Sequence, residues 1–134
     1  MTARLAVLLA CLLSVSAGAV AAPCHSYDKP VTMTGKVVIK TFFGPPNFGE
    51  NPKTDSRITQ GLLIPGKPFC VNEDDEYHRE ENQVEMTLVP PRGVKLKQLA
   101  GKQVTVEGSL FHADNGNHNT TILMMVKRIE EVRK

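Results

Sequence analysis

The sequence predicts an all-β fold with one short helix, five strands rolled into a small Greek-key barrel. Three observations carry that expectation. Apolar and polar residues alternate over Val31 to Phe43, Gln83 to Val89 and Val104 to Leu110, the period of a half-buried strand. Gly- and Pro-rich or strongly polar text separates these runs, as turns and loops require. A single short helical or turn segment is legible, ending at Gly101.

The chain opens MTARLAVLLACLLSVSAGAVAAPC, with one early Arg4 and then small and apolar residues. This is the make-up of a secretory signal peptide, not of a fold element. Ala19 and Ala21 meet the small-x-small demand of signal peptidase, and cleavage there keeps Pro23 away from the scissile bond. Residues 1–21 are therefore expected to leave, and residues 22–134 to form a single domain, periplasmic or secreted. Leu8-Leu9-Ala10-Cys11 superficially resembles a lipid-attachment box. Processing there would cut the apolar stretch too short to act as a signal, and Cys24 fails because Pro23 stands where a small residue is needed. No other apolar run approaches about 18 residues, so no membrane span is expected.

Loss of the signal takes Cys11 and Arg4 with it. Two cysteines in an exported chain imply one disulfide, Cys24 to Cys70, the alternative being two free thiols. The 16 basic residues fall to 15 against 14 acids, a formal charge of +1. So even a balance argues against a general polyanion binder, and no nucleic-acid partner is expected.

The first strand is VTMTGKVVIKTFF, with Val31, Met33, Val37, Ile39 and Phe43 on one parity and Gly35 available for a bend. GPPNFGENPKTD, Gly44 to Asp55, follows as a long ordered loop. A second strand is expected from Ile58 to Ile64 and on towards Val71, broken by Pro65-Gly66 and Pro68. NEDDEYHREEN reads as a polar loop, and Gln83 to Val89 as the third strand. The turn Leu99-Ala100-Gly101-Lys102 then feeds Val104, Val106 and Leu110, which alternate with Thr105, Glu107 and Ser109. This turn and strand resemble the approach to the fourth strand of an oligonucleotide/oligosaccharide-binding (OB) barrel. Thr120 to Ile129 supplies the fifth strand, and five strands with a short helix before the fourth fit such a barrel.

The stretch FHADNGNHNT joins the last two strands and holds two of the chain's four histidines. Asp114-Asn115-Gly116 suits a three-residue turn closed by a left-handed glycine. In that register Val104 faces Val126, Val106 faces Met124, Gly108 faces Ile122 and His112 faces His118. A two-residue Asn-Gly turn would set Val104 against Lys127 and throw the histidines onto opposite faces. The apolar pattern favours the first register. Two facing imidazoles about 5 Å apart are near enough to share a proton, a water or a metal. A zinc centre needs three or four ligands, however, and Asp114, His25 or His78 complete it at no diagnostic spacing. The competing reading is that His112 and His118 hydrogen-bond to Thr120, Asn119 and backbone.

GSLFHADNGNHNTTILM also resembles the closing motif of an uncharacterised family of exported bacterial proteins, domain of unknown function 4431, whose pattern runs G-x-L-F-H-A-x-T-G-H-H-H-T before an apolar strand. Gly108, Leu110, Phe111, His112, Ala113, Gly116, His118 and Thr120 match. The likeness extends to Gly44–Asp55, to Pro68-Phe69-Cys70 and to the L-x-G-K turn. Asn117 and Asn119 stand where the pattern has His, and Asn115 where it has Thr. That retains the turn and removes metal ligands. The resemblance implies export and carries over no activity.

Other motifs read as structure. Gly61 to Pro68 spells a phosphate loop except that Pro68 replaces the magnesium-binding Ser/Thr. Glu73 to Glu76 lacks the alternating oxygens and central Gly of a calcium loop. No acid lies in an apolar context that would tune a glycosidase pair, and no nucleophile elbow is present. Arg92, Lys95, Lys97 and Lys102 lack interleaved aromatics and form a solvated edge. Phe42, Phe43 and Phe48 either stack on a base or sugar or pack their loop onto the domain. The expectation is thus a binding module without cofactor or catalytic residues, whose surface joins the Gly44–Asp55 loop to the histidine hairpin. Its candidate ligand-binding residues are His112, His118, Asp114, Thr120, Phe48 and Asn47, for an envelope saccharide or a secreted partner protein. The alternative is a metal-binding protein or metal-dependent enzyme using His112 and His118.

Overall fold

The computed structural model describes Gly18 and residues 23–134 of the 134-residue chain. The expected signal peptide and the start at Ala22 lie outside the described residues. Among the described residues seven strands form: β1 (Val31–Phe43), β2 (Arg57–Pro65), β3 (Phe69–Val71), β4 (Glu80–Gln83), β5 (Met86–Val89), β6 (Gln103–His112) and β7 (Ile122–Glu131). The described residues are all-β apart from one 3₁₀ turn, Leu96–Leu99. Five strands hydrogen-bond in the closed order β1-β2-β5-β7-β6, with β6 returning to β1, while β3 and β4 make a separate ribbon.

β1 serves both of its neighbours by bending. Its N-terminal half pairs with β6 from Val31↔Gly108 to Lys36↔Gln103, and its C-terminal half with β2 from Gly35↔Pro65 to Phe43↔Arg57. The changeover falls on Gly35, where a Cβ would lie 2.5 Å from the Ile64 carbonyl oxygen. Only a residue without a side chain lets the two strands cross that closely. All pairs in the ring are antiparallel except β5 with β7, which run parallel at Thr87↔Leu123 to Val89↔Met125.

The inward parity is the one that the alternation marks. Val31, Met33 and Val37 of β1, Leu63 of β2, Met86 and Leu88 of β5, Val104, Val106 and Leu110 of β6, and Ile122, Met124 and Val126 of β7 form one buried cluster. Leu96 of the 3₁₀ turn closes one end against Gly61, where a Cβ would meet its side chain at 2.6 Å. The turn is also tied to β1 by backbone, with the Gly101 N–H donating to Val37 O (2.8 Å) and the Val37 N–H to Lys102 O (3.0 Å).

The β6–β7 register differs from the expected one. His112 pairs with Ile122, Leu110 with Met124 and Gly108 with Val126; beyond a bulge at Glu107/Gly108, Val106 meets Ile129 and Val104 meets Glu131. The offset is four residues from Gly108 to His112 and five beyond the bulge, which absorbs the extra residue, so the same β6 side chains still face inward. The expected His112/His118 pair does not form, because the connection is a nine-residue loop, 113–121, rather than a tight turn. The polar run after Val71 likewise departs from the simple loop expected. Glu80–Gln83 returns as β4 against β3, and the third ring strand starts only at Met86. Cys24 and Cys70 are disulfide-bonded, with Cα atoms 4.7 Å apart. The bridge fixes residues beside it to β3, where the His25 N–H donates to Cys70 O and the Asn72 N–H to His25 O.

Candidate functional site

Two loops meet at one end of the ring. The first, 44–56, is organised by Asp55, whose side chain is buried and accepts the N–H groups of Asn47 (2.8 Å), Gly49 (2.8 Å) and Asn51 (3.1 Å). Burial alone would raise the Asp55 pKa; the hydrogen bonds from Gly49, Asn47 and Asn51 outweigh it and hold the carboxylate below its usual value. Tied in this way, the loop takes positive φ at Phe48 (51°) and Gly49 (102°). Phe48 is thereby projected outward, 48% exposed, with its ring on Gly116 of the opposite loop. A Cβ at Gly116 would sit 2.7 Å from that ring. Arg57 lies over the Phe43 ring at 3.8 Å, a cation–π contact at the loop's base.

The second loop, 113–121, is held by its own polar side chains. The Asn115 side-chain oxygen accepts the Asn117 N–H (3.0 Å), and the Asn115 carbonyl accepts the His118 N–H (3.1 Å). His118 Nδ1 lies 3.1 Å from both the Asp114 N–H and Asp114 Oδ1. The loop is pinned to the ring at both ends of its second half. Gln60 of β2 donates to Asn117 O (3.1 Å) and accepts from Asn119 Nδ2 (3.0 Å). Thr120 donates to Ile122 O (2.7 Å) and accepts from the Thr87 N–H (3.0 Å) and the Thr87 hydroxyl (2.9 Å).

Between the loop 113–121 and the ring lies a cleft of about 440 Å³. It exists because β2 and β5 pair over only three residues, Gly61↔Leu88 to Leu63↔Met86, and then part. Pro90, which has no N–H to offer, prevents the ladder from continuing. Thr59 and Gln60 form one wall, Val89 and Pro90 the other, Ile39, Leu96 and Leu123 apolar ground, and Asn117 and His118 the roof. Thr59 shares a hydroxyl hydrogen bond with Thr41 (3.0 Å).

The two histidines go to different places. His118 packs edge-on against Phe111 at 5.6 Å. His112, the next residue of β6, points to the other face, as successive strand residues do. It stacks on Tyr77 (4.3 Å, 9° between planes), and its Nε2 meets Glu80 at 2.9 Å. Burial alone would lower the His112 pKa; the Glu80 hydrogen bond, the Ala113 carbonyl and the Glu80 and Asp74 charges together raise it above 6.5. Beside this cluster burial, then Glu80, Asp74 and Tyr77, push the Tyr27 phenol up to about 12.

A raised imidazole pKa means that His112 stabilises the fold fully below about pH 6.5 and loses that contribution as pH rises through the folded value. His112→Gln is therefore expected to cost more stability at pH 6 than at pH 8. Urea unfolding at the two pH values checks it, and an equal loss at both would exclude a charged His112–Glu80 pair.

Of the residues singled out from the sequence, Phe48 stands on Gly116 outside the cleft lining, His118 lies in the roof, and Asp114 is in contact with His118. Asn47 spends its backbone N–H on Asp55, Thr120 is buried as an anchor, and His112 lies on the Tyr77 side. Among the described residues no three His, Cys, Asp or Glu side chains converge as a metal set. Gln60, Thr59 and Leu123 escaped the sequence reading; Gln60 carried a signal as the lone amide in the apolar run RITQGLLIP.

Residues 83–130 match the family described as Domain of unknown function (DUF4431). The DUF4431 match takes in β5, the 3₁₀ turn, β6, the loop 113–121 and most of β7, and leaves β1 and β2 outside. It thus spans one wall and the roof of the cleft. No curated protein and no solved structure matches the chain.

Proposed function

We propose that the chain is an exported binding module of the OB-barrel type that carries out no chemistry and holds its ligand in the β2–β5 cleft. The OB assignment is supported by the ring order. With the β3–β4 ribbon set aside as an insertion, the strands run first, second, third, fifth, fourth, with a parallel third–fifth pair and a helical turn before the fourth. In OB barrels the loops after the first and fourth strands flank the ligand face, and here these are 44–56 and 113–121. A disulfide suits an oxidising compartment outside the cytoplasm. The ligand is an envelope saccharide or a secreted protein.

The observation that carries this reading is Phe48. A half-exposed aromatic held at positive φ, by a loop wired to a buried carboxylate and set on Gly116 next to the roof residue Asn117, is a preorganised contact beside the cleft. The metal alternative needs His112 and His118 side by side, and each is engaged by other partners on its own side of β6.

Titration with a soluble cell-envelope digest, followed by amide NMR, tests the site. Shifts are expected at Thr59, Gln60 and Asn117. Phe48→Ala is expected to weaken binding by about 1 kcal/mol, roughly fivefold, with an unchanged Tm. A digest that leaves these resonances still, or a Phe48→Ala protein that binds as tightly as the parent, would remove the proposal.

A further inference from the structure

We infer that the cleft takes an uncharged saccharide, a reading that rests on the cleft being the binding site and narrows what it holds. Charge speaks first. Lys97 is the one fully charged side chain in the lining, so nothing there is arranged to meet phosphates or a run of carboxylates. Shape and chemistry speak next. A pyranose ring presents equatorial hydroxyls around its edge and a patch of C–H groups on its face. The lining offers the same two characters, with the Thr59 hydroxyl, the Gln60 amide and the Asn117 amide on one side and Leu123 on another. Phe48, exposed on Gly116 next to the roof residue Asn117 and fixed before any ligand arrives, adds a flat apolar surface beside the cleft for a second ring.

A peptide is the competing occupant, because β2 has no β5 partner before Gly61 and so offers a short open edge. That edge is roofed. Gln60 is bound from above by Asn117 and Asn119, and a strand laid beside β2 would have to displace the loop. The cavity, about 440 Å³, lies within the roughly 300–1,000 Å³ of small-ligand sites.

The test titrates the full exported protein, in parallel, with chitotriose and maltotriose as neutral sugars, oligogalacturonate as an anionic one and an uncharged extended peptide. Amide NMR reports the Gln60 and Asn117 backbone and side-chain resonances. The expected result is that at least one neutral sugar shifts them saturably, that oligogalacturonate binds several-fold more weakly, and that Gln60→Ala abolishes the Asn117 shifts while its strand amides still report a folded ring, the Tm falling only by the loss of its two loop contacts. If the envelope digest shifts these resonances but neither neutral sugar does, or the peptide or oligogalacturonate binds better, the ligand class is wrong and the site stands. If the digest is silent too, the site itself is wrong.

Discussion

Cys24→Ser combined with Cys70→Ser is expected to remove about 4 kcal/mol of stability, the chain-entropy value for a loop of this length. The bonded residues are 46 positions apart, and the loop between them contains β1 and β2, the first two strands of the ring. Against the 5–15 kcal/mol of a typical domain that loss is severe. It also has a local side. The segment from Pro23 to Tyr27 is held to β3 by the bridge and by two backbone hydrogen bonds of His25, and Tyr27 packs against the core. Urea unfolding of the oxidised parent and the double variant measures the difference. A loss below about 1 kcal/mol would mean that the reduced chain keeps the loop closed by itself.

Thr120→Val is expected to cost about 3 kcal/mol, because it strands three buried partners at once: the Thr87 N–H, the Thr87 hydroxyl and the Ile122 carbonyl. Valine fills the same volume, so the effect is polar and not a cavity. In a domain of this size the melting temperature falls by roughly 10–15 °C. Thr120 is a candidate ligand-binding residue by sequence, and its hydroxyl joins the loop 113–121 to β5. Calorimetry separates the two roles. A variant that melts like the parent but loses ligand would return Thr120 to the binding surface.

The register of the last two strands shows what alternation can and cannot reveal. A shift of one residue turns every side chain over, so the apolar pattern of Val104, Val106, Leu110, Ile122, Met124 and Val126 selects the parity firmly. A shift of four leaves each of these side chains facing inward, and the pattern is silent about it. The expected turn at Asp114-Asn115-Gly116 loses to a longer loop because Asp114, Asn115 and His118 satisfy one another and Thr120 and Gln60 anchor the far end. Gly108, beside the bulge, was legible only as a glycine in a strand. The ribbon of β3 and β4 was less legible still. Glu80-Glu81-Asn82-Gln83 has no apolar alternation, and Asn82 takes φ of 52°, so its pairing with Phe69 and Val71 comes from tertiary contact and not from propensity. The cleft followed from none of these signals; it arises where two strands separate, which pairing alone decides.

The parallel pairing of β5 with β7 has a consequence for biosynthesis. β5 is covered on that flank only by the last strand to emerge, and β1 must wait for β6 on one of its own flanks. A nascent chain stopped before Ile122 therefore exposes the free margins of both β5 and β6, which invite association with other chains. Contacts so distant along the polypeptide form slowly, and the whole length through Glu131 has to be delivered before any of it is safe from aggregation.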